Sequence, residues 1–127
     1  NNLNNSNFTI IVDETIGDKL INNIISSEIN RISKPNSENI FNITLNTSYK
    51  KSIISKNAKG TVSDYQLQAV TNLTISKNND VKNISFQERQ NIKNSTDIFE
   101  LKNYENTIKK NFAISIARKI NLELINK

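Results

Sequence analysis

Two segments of the sequence alternate between apolar and polar residues, and this pattern limits the possible folds more than any other feature. The segments are Phe41–Tyr49 and Tyr65–Ile75. Alternation with a period of two predicts strands that bury one face and leave the other face polar. Between the two segments, Asn57–Gly60 predicts a turn in which Gly60 can take a positive φ. The sequence therefore predicts a long β-hairpin.

Two further strands are predicted on either side of this hairpin. Phe8–Val12 is a short run rich in β-branched residues, which predicts a strand with both faces covered. Asn78–Asp80 predicts a tight reversal after the second strand of the hairpin. The strand after this reversal should point Ile84 and Phe86 inward and continue to about Arg89.

The first predicted helix lies between the first strand and the hairpin. Thr15 and Asp18 have the spacing of a capping box, and Pro35 predicts that the helix ends near Ser33. The predicted buried stripe repeats every three or four residues: Ile16, Leu20, Ile21, Ile24, Ile25, Ile29 and Ile32.

The second predicted helix reaches almost to the end of the chain, near Ile125. Asp97 and Glu100 predict a reciprocal cap at its start. Its buried stripe consists of Leu101, Tyr104, Ile108, Phe112, Ile116, Ile120 and Leu124. Four basic residues of this helix are interpreted as lying on its solvated face: Lys109, Lys110, Arg118 and Lys119.

These elements predict an α+β fold in the order β-α-β-β-β-α. The expected architecture is a two-layer sandwich, a four-stranded mixed sheet with two helices packed on one face. Residues 1–7 are interpreted as a polar N-terminal tether, and residues 8–127 as a single domain. The first helix is shorter than the strands of the hairpin, so the far end of the hairpin should project past it.

The composition excludes many classes of site. The 127 residues contain no Cys, His, Met or Trp and only two Gly, whereas Asn occurs 24 times and Ile 21 times. Without thiols, imidazoles or glycine-rich loops, the chain cannot form a disulfide, a Cys/His metal centre or a P-loop. We therefore expect no cofactor and no enzymatic activity. The weak alternative is a carboxylate-dependent enzyme that uses Asp13, Glu14 or Asp64.

The positive charge is unevenly distributed. The formal net charge is +5, and residues 39–63 contain no acid but include Lys50, Lys51, Lys56 and Lys59. These lysines could simply protect an exposed strand edge from aggregation. They could also bind an acidic partner, and the alternative function from the residues alone is a nucleic-acid-binding module that uses the hairpin 50–60.

Three segments carry a resemblance to a known family. Residues 59–75, KGTVSDYQLQAVTNLTI, look like the G-x-x-x-x-Y-x-L strand of the LPS-assembly lipoprotein LptE. Residues 97–120, DIFELKNYENTIKKNFAISIARKI, are similar to the closing helix of that family, and FTIIVD at residues 8–13 fits its opening strand. The resemblance extends over about residues 8 to 126.

The resemblance implies a non-enzymatic lipoprotein on the periplasmic face of the outer membrane. Such proteins are anchored through an acylated N-terminal Cys. They plug the LptD barrel and help it deliver lipopolysaccharide to the outer leaflet. Because this chain contains no Cys, the anchored residue is expected to precede Asn1. The resemblance also implies that Lys102 lies at a basic position that the family uses to contact lipopolysaccharide. The four hairpin lysines are the second candidate contact, to the phosphates or sugars of lipid A.

The sheet face opposite the helices is expected to meet the barrel partner. It should carry neutral polar side chains, which a polar barrel lumen can satisfy with hydrogen bonds. The residues predicted to face the partner are Asn42, Thr44, Asn46, Ser63, Gln66, Gln68 and Asn72. Because homodimer interfaces are usually more apolar than this face, the free protein is expected to be a monomer.

Overall fold

The computed structural model describes residues 7–126 and contains one mixed four-stranded sheet with two helices. The predicted element order β-α-β-β-β-α and the α+β fold class are confirmed. The strands lie in the order β1-β2-β3-β4, with β1 parallel to β2 and the other neighbours antiparallel. Apart from Asn7, the predicted tether lies outside the described residues, as does Lys127.

Strand β1 is longer than predicted and spans Thr9–Gly17. The pairing of β1 with β2 is interrupted at Asp13, since the register shifts between Val12 and Glu14. Gly17 ends the strand with φ +97°, and a Cβ added there would lie 1.9 Å from the Thr47 carbonyl oxygen. Only glycine therefore fits at the junction between β1 and the first helix.

Helix α1 spans Lys19–Asn30, and its N-cap is Asp18, not Thr15. An Asp18 carboxylate oxygen accepts a hydrogen bond of 2.9 Å from the Ile21 amide. The prediction that the helix begins at Thr15 is wrong, because parallel pairing with β2 keeps the chain extended as far as Gly17. Ile16, predicted in the buried helical stripe, lies on a strand and is 43% exposed.

The hairpin strands are β2 (Ile40–Lys56) and β3 (Val62–Lys77), and β4 spans Asp80–Lys93. The predicted alternation is confirmed, since Phe41, Ile43 and Leu45 are buried while the residues between them are not. Strands β2 and β4 run beyond their predicted bounds and β3 runs past its predicted end at Ile75, because pairing with a neighbour continues after the apolar pattern has ended.

Helix α2 spans Ile98–Ile125 and begins at the predicted cap, Asp97. One Asp97 carboxylate oxygen accepts from the amides of Phe99 and Glu100, at 3.0 and 3.1 Å. The reciprocal half of the predicted box is wrong, because the Asp97 amide donates to the Ser95 hydroxyl at 3.1 Å.

The core lies between the sheet and the two helices. Its largest fully buried apolar side chains are Ile21, Ile25, Ile29, Ile43, Leu45, Leu67, Leu73, Ile108, Ile116, Ile120 and Leu124. Asn22, Thr47 and Thr71 are also buried. They satisfy one another, because the Thr47 hydroxyl lies 2.7 Å from both the Asn22 Oδ1 and the Thr71 hydroxyl.

Helix α1 covers only part of the hairpin. It begins beside Thr47, whose carbonyl oxygen accepts from the Asp18 amide at 2.9 Å, and it then runs back along the sheet. The part of the hairpin from Tyr49 to Tyr65 therefore extends past α1, as predicted, and only the start of α2 accompanies it. Within residues 7–126, neither helix is long and apolar enough to cross a membrane.

Candidate functional site: the outer sheet face and the distal end

The sheet face opposite the helices, called the outer face here, is not covered by any described element of the chain. The register places its side chains in rows across the strands. The first rows are Ile11–Asn42–Ser76–Val81, Glu14–Thr44–Thr74–Asn83 and Ile16–Asn46–Asn72–Ser85. The next are Ser48–Val70–Gln87, Lys50–Gln68–Arg89 and Ser52–Gln66–Asn91.

Six of the seven residues predicted to face a partner lie on this outer face. Asn42, Thr44, Asn46, Gln66, Gln68 and Asn72 occupy its rows. Several side chains of the face bond to one another across strands, at 3.0 Å from Asn42 to Asp13 and 2.8 Å from Thr74 to Asn83. These bonds fix the orientation of neutral amide and hydroxyl groups while other donors and acceptors stay accessible.

Ser63 differs from the other predicted contact residues because its hydroxyl bonds within the hairpin. It lies 2.6 Å from the Ser55 hydroxyl, which in turn donates to Asp64 at 2.7 Å. The two serine hydroxyls hold the pKa of the Asp64 carboxyl below its usual range, and the charge of Lys93 adds to this. These hydrogen bonds join β2 to β3 near the hairpin turn and stabilise that end of the hairpin.

The outer face has an apolar margin that the residue pattern did not predict. Ile11, Ile16, Ile40 and Val81 are between 41% and 63% exposed. Ile11 and Val81 end the first row on its two sides, with amide and hydroxyl groups between them. The prediction that both faces of β1 are covered is therefore wrong, since neither helix of the described residues 7–126 packs on the outer face.

The five predicted lysines do not form one cluster. Lys50 projects on the outer face, in a row with Arg89, whereas the neighbouring Lys51 projects on the helix face. Lys56 and Lys59 are exposed near the hairpin turn, and Lys102 is exposed on the first turns of α2. Because consecutive strand residues point to opposite faces, the hairpin does not present the continuous basic groove that a nucleic-acid backbone would need.

Lys51 belongs to a network that joins the hairpin to α2. Its Nζ lies 3.3 Å from a Glu105 carboxylate oxygen and 4.4 Å from the centre of the Tyr65 ring. The Tyr49 hydroxyl donates to the other Glu105 oxygen. Burial raises the pKa of Tyr49 above its usual value, and the hydrogen bond and charge of Glu105 raise it further.

Lys109 is part of the same region, contrary to its predicted place on a solvated helix face. Its Nζ lies 2.7 Å from an Asp18 carboxylate oxygen, and both side chains are only 15% exposed. It also lies 4.4 Å from the centre of the Tyr49 ring. Sequence periodicity cannot find this pair because the partners are far apart in the chain. Lys110, Arg118 and Lys119 are exposed as predicted, although Lys119 pairs with Glu88 at 2.6 Å.

The end of the molecule formed by the hairpin turn and the start of α2, called the distal end here, exposes large apolar side chains. Ile98 and Phe99 are 77% and 83% exposed, and Ile53 and Ile54 are 55% and 48% exposed. Sequence analysis singled out only the lysines of this end.

The three carboxylates considered for an enzyme are not brought together. Glu14 pairs with Thr44 and Asp64 pairs with Ser55, which places them about 36 Å apart at ~3.3 Å per strand residue. Within residues 7–126, no group of three or more acidic residues could hold a metal ion.

Comparison with known proteins shows that the fold is shared with bacterial lipoproteins. No protein-family model matches this chain, and no curated protein resembles it in sequence. Rare lipoprotein B from Shewanella oneidensis superposes with a TM-score of 0.63 at 11% identity, covering 90% of this chain and 98% of that one. A minor lipoprotein from Acinetobacter baumannii superposes with a TM-score of 0.61 at 7% identity, covering 92% and 95%.

A third solved structure agrees with these two. A lipoprotein from Caulobacter crescentus superposes with a TM-score of 0.58 at 12% identity, covering 92% of this chain and 88% of that one. In each case nearly the whole of both chains is aligned, so the complete order of strands and helices is shared. At these identities the comparison establishes the fold of this chain, a fold that the three lipoproteins have in common.

Proposed function

We propose that this protein is a non-enzymatic lipoprotein of LptE type, held at the periplasmic face of the outer membrane. In this proposal it occupies the lumen of an LptD-like barrel and assists the passage of lipopolysaccharide to the cell surface. Its anchor would be an acylated cysteine outside the 127 residues, because these contain no Cys. The shared fold of solved lipoproteins supports the class of protein.

The observation that carries the proposal is the outer face. No described element covers it, it is about 46 Å long, and its centre consists mainly of neutral amides and hydroxyls. It is three strands wide, with β1 adding a fourth strand over about 30 Å, which at a spacing of ~4.8 Å gives an area of about 800 Å², the usual contribution of one partner to a stable interface. A polar lumen offers the hydrogen-bonding groups that such a face requires.

The margin of the face adds to this argument. Ile11, Ile16, Ile40 and Val81 lie at one end of the face and along its β1 edge, so the contact surface is more apolar than the sequence suggested. Complete burial of a fully exposed apolar side chain contributes about 1.5–3 kcal/mol, and these four, already partly buried, would each contribute roughly half of that. The polar centre would then specify the orientation in the barrel, while the apolar margin would strengthen the contact.

The test of the barrel contact is co-expression with the cognate LptD-like barrel, followed by detergent extraction and size-exclusion chromatography. We expect a one-to-one complex. Asn42→Glu with Asn72→Glu should disrupt it, because neither position has a cationic neighbour in its row and a charge buried against a polar wall lacks a partner. A matched control is Asn103→Glu with Asn111→Glu, which adds the same charge on exposed positions of α2. A free domain that forms a tight dimer through the outer face, with no barrel recovered, would contradict the proposal.

The lipopolysaccharide contact needs its own test, because the five lysines lie on different surfaces. Lys51 is engaged by Glu105, so the informative variant changes Lys50, Lys56 and Lys59 together to Gln. We expect weaker binding to lipopolysaccharide micelles and little change in thermal stability. Lys102→Gln is a separate variant with the same expected direction.

The matched control for this experiment changes Lys19, Lys34 and Lys110 to Gln, three exposed lysines away from the distal end. If both triple variants bind micelles equally well, the hairpin lysines serve solubility alone. A single-stranded oligonucleotide forms the second arm of the assay. Tight, salt-sensitive binding to it without lipopolysaccharide binding would favour the nucleic-acid function instead.

A further inference from the structure

The two edges of the sheet differ in how well they are protected from pairing with another chain. Edge strand β1 is interrupted at Asp13, where the register shifts, and carries the adjacent charge of Glu14. Bulges and charges of this kind are the usual protection of an edge strand. Edge strand β4 pairs with β3 from Asp80 to Lys93 without any shift in register.

The backbone groups at the free edge of β4 can be identified from its turn. Lys77 and Asp80 pair across the two-residue reversal Asn78–Asn79, so they exchange both hydrogen bonds of a closing pair. Alternation then directs the amide and carbonyl groups of the odd-numbered residues 81–93 away from β3. In the described part of the chain, none of these groups bonds to the backbone of another element.

The charged side chains of β4 do not protect the centre of this edge from pairing with another strand. Glu88 turns to the helix layer, where it accepts from Ser115 at 2.9 Å and pairs with Lys119. Lys82 also turns that way and pairs with Glu123 at 3.0 Å. Between them, residues 83–87 are neutral.

A strand added at this edge would find a surface on α2 for its inward side chains. Ser115 marks the flank of α2 that faces β4. Leu122, two turns later, lies on the same flank and is 58% exposed. Tyr104 is 47% exposed and borders the same groove as Asn91 and Ile92 of β4. The flank therefore presents a large exposed side chain near each end.

We propose that the free edge of β4 is a docking site for an extended segment of a partner protein, which adds a fifth strand to the sheet. The segment would place apolar side chains at alternate positions against Ile84, Phe86 and the α2 flank. Its other side chains would continue the neutral polar outer face. Such β-augmentation takes its affinity from main-chain hydrogen bonds and its specificity from alternate side chains.

Area favours a segment of a partner that also covers the outer face, because a second copy paired through this edge alone would bury only the edge. An edge about 46 Å long and roughly 10 Å high buries about 500 Å² on each copy, about 1,000 Å² in total. Stable specific interfaces bury about 1,200–2,000 Å². The odd-numbered residues also point their side chains onto the outer face, so a partner seated on that face reaches this edge without a break. The proposal does not require that partner to be a barrel.

The test uses a labelled synthetic peptide with the sequence of residues 66–76, QLQAVTNLTIS, which pairs with the other side of β4 in the fold. Binding to the full chain is measured by fluorescence anisotropy, with a scrambled peptide as control. Hydrogen exchange is measured on the same complex. We expect protection of the odd-numbered amides between Val81 and Asn91, and no added protection at the even-numbered amides.

Two variants at Ser85 separate the contribution of its backbone N–H from that of its side chain. Ser85→Pro removes an outward N–H without breaking the β3 ladder, and proline is tolerated on the free side of an edge strand. It should weaken peptide binding at least about tenfold, whereas Ser85→Ala keeps the N–H and should bind like the original chain. Gln87→Pro gives the same comparison if Ser85→Pro fails to fold.

Several results would overturn the proposal. One is the absence of binding up to about 1 mM peptide, the limit of weak recognition. Another is binding that neither proline variant changes. A dimer that Ser85→Pro abolishes would assign the edge to self-association.

Discussion

Lys109 Nζ lies 2.7 Å from an Asp18 carboxylate oxygen, and this ion pair joins the N-terminus of α1 to the middle of α2. The other Asp18 oxygen caps α1 through the Ile21 amide. One carboxylate therefore both starts a helix and holds the neighbouring helix. The pair is almost buried, so each partner is costly to leave alone.

Lys109→Met should destabilise the domain by about 1–2 kcal/mol, because it leaves the nearly buried Asp18 carboxylate without its cation. The matched control is Lys110→Met at the next, exposed position, which should stay within about 0.5 kcal/mol of the original chain. Urea unfolding at pH 7 measures both. Equal midpoints for the two variants would show that the ion pair does not contribute to stability.

The same pair shows where sequence analysis reaches its limit. Alternation in β2 and β3 and the apolar stripe of α2 predicted the strands, the long helix and most of the core, because these patterns repeat within one element. Lys109 was assigned to solvent because its partner is distant in sequence. Ile16 was assigned to a helix because its spacing from Leu20 fits a helical stripe, whereas pairing with β2 decides its conformation.

The candidate surfaces were predictable to different degrees. Six of the seven residues expected on the outer face do lie there, since successive side chains of a strand point to opposite faces. Ser63 bonds within the hairpin, and the apolar margin at Ile11 and Val81 was missed. The Ser63 contact depends on the shift in register between β2 and β3 near the hairpin turn, and the apolar margin depends on which strands lie at the edges of the sheet. Neither can be deduced from the alternation of residues along one strand.

Gly17→Ala should cost more than about 3 kcal/mol, because it combines a positive φ with a Cβ placed 1.9 Å from the Thr47 carbonyl oxygen. Gly60→Ala is the matched control. Gly60 also has a positive φ, at +84°, but nothing lies within 4 Å of the added Cβ, so a cost of about 1–2 kcal/mol is expected. Thermal unfolding distinguishes the two, and similar costs would mean that the chain relaxes around Thr47.

Thr47→Val should destabilise the domain by about 1–3 kcal/mol, because it removes a buried hydroxyl and leaves the Asn22 Oδ1 without that donor. Thr74→Val is the control, since Thr74 makes a similar bond to Asn83 on the exposed outer face. It should change stability by less than about 0.5 kcal/mol. Chemical denaturation measures both variants, and no difference between them would argue against a buried polar chain.

Stability should fall at alkaline pH through Tyr49. Its folded-state pKa lies above the value of about 10 that an unfolded chain has, because burial and Glu105 favour the neutral hydroxyl. The stabilisation is therefore complete below about pH 10 and is lost as the pH rises further, since only the unfolded state then releases the proton. The added slope is at most about 1.4 kcal/mol per pH unit, and solvent screening at this half-buried site reduces it.

Urea unfolding between pH 8 and 11 should show a shallower loss of stability for Tyr49→Phe than for the original chain. The control Tyr104→Phe keeps Tyr49 and should retain the original slope. Parallel curves for all three proteins would refute a role for Tyr49 in the alkaline transition.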